Sequence, residues 1–229
     1  MKALIMAGGL GKRLRPWTNN VPKPLIKIGG KPIIYWQIRW LEAQGIGRFV
    51  LLGGYKAKKI IDYIKSIGYS DRFEFSVERT PLGSAGAISN AKDFLKGEDE
   101  LLVVNGDNIT NIDIHRLKLG RNVLCCLSLV PYMSNKGIVN CRGNKITRFM
   151  EKPIIKGYWF NAGVALISSR LLSTLPRKGS LEKDVFPKLA RSGKLSCIKY
   201  KKAYFKSVDS FKDMEDVNKD LNSERVKFQ

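Results

Sequence analysis

The chain is almost without histidine: among 229 residues His115 stands alone. A Ser-His-Asp triad, a Cys/His nucleophilic pair and a Cys/His zinc site all lack material. Cysteine is sparse as well. Cys125, Cys126, Cys141 and Cys197 include no C-x-x-C pair, and they read as reduced thiols in strands. His115 reads as a helix-surface residue. No apolar run approaches the roughly 20 residues that cross a bilayer. The opening "MKALIMAGG" is too short for a signal h-region and stops in glycines. A cytoplasmic protein without a membrane partner is the expectation. Acidic residues are also in deficit, with 41 Lys and Arg against 20 Asp and Glu and a formal charge of +21. That surplus attracts anions, whether nucleic acid, acidic lipid or phosphorylated small molecules, and does not choose among them.

What is present suits a globular core, with 44% hydrophobic residues. One continuous domain over residues 1–229 is the simplest organisation. "KALIM", "RFVLLGG", "FEFSV" and "ELLVVNGD" read as strands. "KPIIYWQIRWLEAQG", "AKKIIDYIKSIG" and "SAGAISNAKDFL" read as helices between them, with Pro32 at a first helical position and Gly45 at the stop. This alternation predicts an α/β fold of Rossmann-like type: a mixed, mainly parallel sheet with helices on both faces. Beyond Arg121 the helices thin out. "NVLCCLSLV", "KGIVNC", "KITRFME" and "YWFNAGVALIS" read as antiparallel additions to the sheet. "LEKDVFPKLARSG" and "SFKDMEDVNKDLN" read as late helices, the second opening with a capping-box pattern at Ser210 and Asp213.

Ligands of a parallel α/β sheet bind at the carboxyl ends of its strands. "AGGLGKRLRP" sits at such an end. Its glycines Gly8, Gly9 and Gly11 free backbone N–H groups for phosphate oxygens, while Arg13 and Lys23 add charge-assisted bonds. Together they form a cradle for a triphosphate. The loop is not a P-loop, since Met6 stands five before Gly11 and Arg13 follows Lys12. Nor is it a dinucleotide fingerprint, because Leu14 occupies the third glycine position. "VVNGDN" places Asp107 just past an apolar strand, where a carboxylate can hold Mg²⁺.

"AGGLGKRLRPWTNNVPKPL", followed in order by "PLGSAGAI", "NGD", "EKP" and "NAG", resembles the signature set of the sugar-1-phosphate nucleotidylyltransferases. The resemblance runs from about Met1 to Asn218 and is closest to mannose-1-phosphate guanylyltransferase-like members. It implies transfer of a nucleotidyl group from a nucleoside triphosphate to a sugar 1-phosphate, with release of pyrophosphate. It assigns Asp107 to a metal, Glu78 and Gly83 to the base, Glu151 to sugar hydroxyls and Lys152 to the sugar phosphate. Asn161 and Gly163 line the sugar side, and Gly137 gives the sugar room. The family's usual W-x-D-I-G-T ending is missing: Ser207 stands where that Asp belongs, and Asp209 lies two residues on, as in an M-D-T version. Asp209 is the expected second metal carboxylate.

The expected catalytic groups are therefore Arg13, Lys23 and Lys152, with Mg²⁺ as cofactor. GTP with mannose 1-phosphate is slightly favoured, beside UTP-, dTTP- or CTP-dependent transfer to glucose 1-phosphate. A non-catalytic nucleotide-sugar sensor and a nucleic-acid-binding protein are the rivals, although nucleic acid is not the expected partner. A homo-oligomer is compatible with the sequence. Some relatives carry a carboxyl-terminal β-helix or acyltransferase domain, for which the chain is too short.

Overall fold

A computed structural model describes residues 1–223. The first half follows the expected alternation. Strands β1 (Lys2–Ala7), β4 (Phe49–Gly53), β5 (Phe73–Val77) and β6 (Glu100–Asn105) alternate with α1 (Ile33–Ala43), α2 (Ala57–Ser66) and α3 (Gly83–Asn90). Two short strands, β2 (Lys27–Ile28) and β3 (Lys31–Pro32), pair antiparallel ahead of α1. Pro32 thus belongs to β3 and precedes the first helical residue by one.

The central sheet has seven strands in the order β12-β8-β11-β6-β1-β4-β5, where β8 is Cys125–Met133, β11 is Ile154–Ser168 and β12 is Leu195–Lys199. Only β11 runs against the rest: it is antiparallel to both β6 and β8, and all the other pairings are parallel. Of the segments expected to extend the sheet, "KGIVNC" and "KITRFME" do not. As β9 (Ile138–Arg142) and β10 (Lys145–Met150) they pair only with each other. β7 (Asn108–Thr110) and β13 (Phe205–Ser207) likewise form a separate antiparallel ribbon.

Both faces of the sheet are covered, which is why its strands read as continuous apolar runs. Alternate residues of β1 face opposite ways. Ala3 and Ile5 join Ile34 and Ile38 of α1 and Ile60 of α2. Leu4 joins Ala85 and Ile88 of α3 and Leu189 of α4 (Phe186–Arg191). Each fully buried isoleucine or leucine stabilises the fold by roughly 1.5–3 kcal/mol. A third cluster packs Leu14, Ile26, Ile109 and Val208 against Met214 and Val217 of α5 (Phe211–Asn222). α5 opens with the expected capping box between Ser210 and Asp213. The segment before α4 begins as a π-helical turn, Leu181–Val185. His115 is exposed in a single 3-10 turn rather than on a longer helix. All four cysteines lie in strands as free thiols, and burial pushes Cys125 up to about 12.

Candidate active site

Strands β1 and β6 lie side by side, so the loops leaving their carboxyl ends leave together. The Gly106 N–H donates to the Met6 carbonyl at 3.0 Å, and a Cβ on Gly106 would run into that same carbonyl. This close approach sets the turn carrying Asp107 against the glycine loop. The β7–β13 ribbon then imports a second carboxylate from far along the chain. Ser207 pairs with Asn108, and the Val208 N–H donates to the Asp107 carbonyl at 2.9 Å. Asp209 lies two residues beyond the end of β13, in the connection to α5, with its carboxylate beside the Ser207 hydroxyl. Asp213 fixes that connection by accepting from the backbone N–H groups of Asp209, at 3.0 Å, and Ser210, at 2.7 Å.

The two carboxylates converge on one cation. Lys23 Nζ lies 2.6 Å from Asp107 Oδ2 and 2.7 Å from Asp209 Oδ1. Arg13 Nη2 adds a contact of 2.8 Å to Asp209 Oδ1, and Ser207 Oγ donates to Asp209 Oδ2 at 3.0 Å. The Lys23 side chain is only 13% exposed and the carboxylates 28% and 26%, whereas Arg13 is 76% exposed. Burial pushes the Asp209 carboxyl up, but hydrogen bonding and charge from Lys23, the Ser207 hydroxyl and the Arg13 charge outweigh it. Its pKa falls below the usual carboxylate value.

Three cavities meet around this cluster, and Gly9 lines all of them. One of about 190 Å³ is walled by Met6, Asn105, Gly106 and Asp107 together with Lys23. Another of about 250 Å³ is walled by Gly11, Lys12 and Arg13 with both aspartates. The third, of about 480 Å³, runs from Gly8 to Glu78, Pro81, Gly83 and Ala87. Gly8 is glycine for a steric reason: a Cβ there would come within 2.8 Å of Glu78 Oε1. Glu78 Oε2 accepts from the Leu82 N–H at 3.0 Å, which ties it to the start of α3. Gly83 has φ +76° and abuts the Gly179 carbonyl, so backbone packing requires it in addition to its place on the cavity wall.

The residues expected on the sugar side divide into two groups. Gly163, at φ +63°, faces the amides of Asn105 and Asn108, each of which would lie 2.5 Å from an added Cβ. Asn108 Nδ2 donates to the Ala162 carbonyl at 2.8 Å, and Asn161 Oδ1 accepts from the Gly163 N–H at 3.1 Å. β11 therefore presses directly on the Asp107 turn. Gly137, Glu151 and Lys152 sit at the base of the β9–β10 hairpin, and none of the five expected sugar-side residues, Asn161 and Gly163 included, lines the three cavities. The Glu151 and Lys152 side chains are 63% and 51% exposed and lie 3.7 Å apart. Lys152 has φ +44°, a backbone state uncommon outside glycine, at the bend between β10 and β11. An added Cβ on Gly137 would come within 3.2 Å of Glu151 Oε2.

Asn105, Gly106 and Lys12 also line the cavities although sequence reasoning did not single them out. The signal lies in "NGD", whose Asn105 and Gly106 share the turn with Asp107.

A family model described as "Nucleotidyl transferase" matches residues 2–224. The chain belongs to the nucleotidyl transferase family. Its relatives include proteins named mannose-1-phosphate guanyltransferase from Emericella nidulans and Schizosaccharomyces pombe. Each is 35% identical over 208 residues, covering 85% of the chain and 57% of the relative. The chain thus spans little more than half the length of these curated relatives. Among solved structures, HddC from Yersinia pseudotuberculosis aligns over 96% of the chain and 99% of its own, with TM-score 0.76 and 28% identity. HddC has also been solved in complex with GMP-PN.

Proposed function

We propose that this chain transfers a nucleotidyl group from a nucleoside triphosphate to a sugar 1-phosphate and releases pyrophosphate, with GTP and mannose 1-phosphate as the favoured pair. The single observation that carries the reading is the convergence of Asp107, Asp209 and Lys23 beside the Gly8–Gly11 loop. The substrate preference rests on the names of the relatives and on the GMP-PN complex of the Yersinia protein. The setting in this reading is the cytoplasm, consistent with the described residues containing no helix long and apolar enough to cross a membrane.

The residues fit Mg²⁺ as cofactor. Asp107 and Asp209 already direct one oxygen each at a single cation, the ammonium of Lys23, at 2.6 and 2.7 Å. Two hard oxygen ligands are what Mg²⁺ takes from a protein when phosphates and water supply the rest. Among the described residues no group of three or more His, Cys, Asp or Glu side chains offers a fuller cage. When bound, Mg²⁺ supplies neutralisation of phosphate charge.

In the reaction Lys23 and Arg13 turn from the carboxylates to the triphosphate oxygens. The glycine loop holds those oxygens through backbone N–H groups, and Glu78 and Gly83 border the base. Lys152 positions the sugar 1-phosphate, with Glu151, Asn161, Gly163 and Gly137 around the sugar. For the exposed hairpin base to take part, Glu151 and Lys152 must close toward the cavities as substrate binds. An oxygen of the sugar 1-phosphate attacks the α-phosphorus in line, the bond to the β-phosphate oxygen breaks, and pyrophosphate leaves with the electron pair. No general base is required, because the attacking phosphate is already an anion at neutral pH; the work is positioning and charge neutralisation.

A pyrophosphate-release screen across the common nucleoside triphosphates and sugar 1-phosphates, with Mg²⁺, tests this. Turnover with GTP and mannose 1-phosphate above all other pairs is expected. Absence of release with every pair, alongside measurable NDP-sugar binding, would instead establish the sensor.

A further inference from the structure

Against α4 and the Leu181–Val185 turn lies a cavity that the proposed reaction does not use. Its volume is about 520 Å³, within the range of about 300–1,000 Å³ of small-molecule sites. The floor is apolar: Leu171, Val185 and Leu189 are buried, and Leu124 completes it. The exposed Lys178, Lys188 and Lys194 form its rim, and Thr174 and Ser192 complete the polar lining. None of the three ammonium groups forms an ion pair within the described residues. The one acidic residue in the lining, Asp184, is already engaged, its Oδ2 accepting from the Ser180 N–H at 2.7 Å.

We propose that this cavity binds an amphipathic small anion, an apolar body carrying one compact anionic head, and that occupancy tightens the start of α3. The apolar body lies on the leucine floor and the head is taken by the lysine rim. Recognition follows from chemistry: the floor is apolar, whereas the lining sets three lysines that form no ion pair against the single carboxylate of Asp184.

The connection to α3 is a short run of bonded groups. Asp184, in the cavity wall, holds Ser180. Its neighbour Gly179 accepts from the Ala85 and Gly86 N–H groups at 3.0 and 3.3 Å. Gly179 in turn donates to the Leu82 carbonyl at 2.8 Å, and Ser84 Oγ accepts from the Leu181 N–H at 2.7 Å. The first turn of α3 is thus capped by the same segment that walls the cavity. Gly83, Ser84 and Ala87 of the same helix line the 480 Å³ cavity. On the proposed function, that makes the ligand an effector of nucleotide binding; this last consequence alone rests on that reading.

The test uses anilinonaphthalene sulfonate, an aromatic body with a sulfonate head, on the full chain without nucleotide. One-to-one fluorescence binding is expected. It should weaken at least about tenfold in a Lys178→Gln, Lys188→Gln, Lys194→Gln protein and be blocked by Ser192→Trp. With probe at ten times its Kd, amide exchange at Ala85 and Gly86 should slow by up to about tenfold. Because Ile146 and Phe149 are exposed on the hairpin, an Ile146→Ser, Phe149→Ser protein serves as control and should retain the site. Binding that survives the cavity variants, binding lost in the hairpin control, or unchanged exchange at Ala85 and Gly86 overturns the proposal. Pyrophosphate release is not read, so failure here and failure of the proposed reaction remain separate results.

Discussion

Replacing Lys23 by methionine removes the cation between Asp107 and Asp209 while keeping most of the side-chain stem. Fully exposed ion pairs contribute roughly 0–1 kcal/mol, and breaking a buried one costs about 3–5 kcal/mol. The Lys23 cluster lies between these limits, since the lysine is 13% exposed and each carboxylate about a quarter exposed. Arg13 also remains to shield Asp209. A loss of about 2 kcal/mol at neutral pH is expected, which lowers a urea midpoint by roughly 0.7 M if m is about 3 kcal/mol/M. The pH dependence follows from Asp209, whose folded pKa lies below its ordinary value of 3.8. Its contribution is therefore complete above the unfolded value and disappears as pH falls through the folded one. The gap between parent and variant should be constant above about pH 5 and narrow in stronger acid. Urea unfolding followed by tryptophan fluorescence at several pH values measures both effects. Mg²⁺ should stabilise the variant more than the parent, because the carboxylates are then free to accept it. An unchanged midpoint at neutral pH, or a gap that does not shrink in acid, refutes the account of this cluster.

Three other substitutions probe separate parts of the site. Asp107→Asn should reduce pyrophosphate release on the order of a hundredfold at saturating substrate, with circular dichroism unchanged; near-normal kcat would remove Asp107 from the proposed chemistry. Gly163→Ala forces a Cβ against the amides of Asn105 and Asn108 at φ +63°, so a loss of about 2 kcal/mol or more is expected. Differential scanning calorimetry checks that value, and an unchanged Tm contradicts the packing. Gly83→Ala meets the Gly179 backbone at φ +76°. It should lower thermal stability and raise KM for the nucleotide, whereas an effect on KM alone would show that Gly83 serves only the base.

Much of this was legible from sequence because local rules and the fold agree. β1, β4, β5 and β6 announce themselves as apolar runs between amphipathic helices, and sheets covered on both faces require such runs. The glycine loop was readable because backbone exposure and charge coincide there. Pairing partners were less accessible. "KGIVNC" and "KITRFME" have strand composition whether they join the sheet or pair with each other, and composition carries no information about the neighbour. Asp209 is legible from its place two residues past Ser207, whereas the support of its backbone by Asp213 and its approach to Asp107 and Lys23 are tertiary. The double duty of Gly83 and Gly163 depends on contacts with residues distant in sequence, which no local spacing encodes.

The ribbon joining β7 to β13 has a consequence for biosynthesis. Lys23 and Asp209 are separated by 186 positions, so a nascent polypeptide can bury its parallel strands while the anion cradle still lacks one wall. That wall exists only after Asp209 has been synthesised, and domains assemble progressively as they emerge. Products that stop short of Asp209 would lack one of the two converging carboxylates however much of the sheet they had formed.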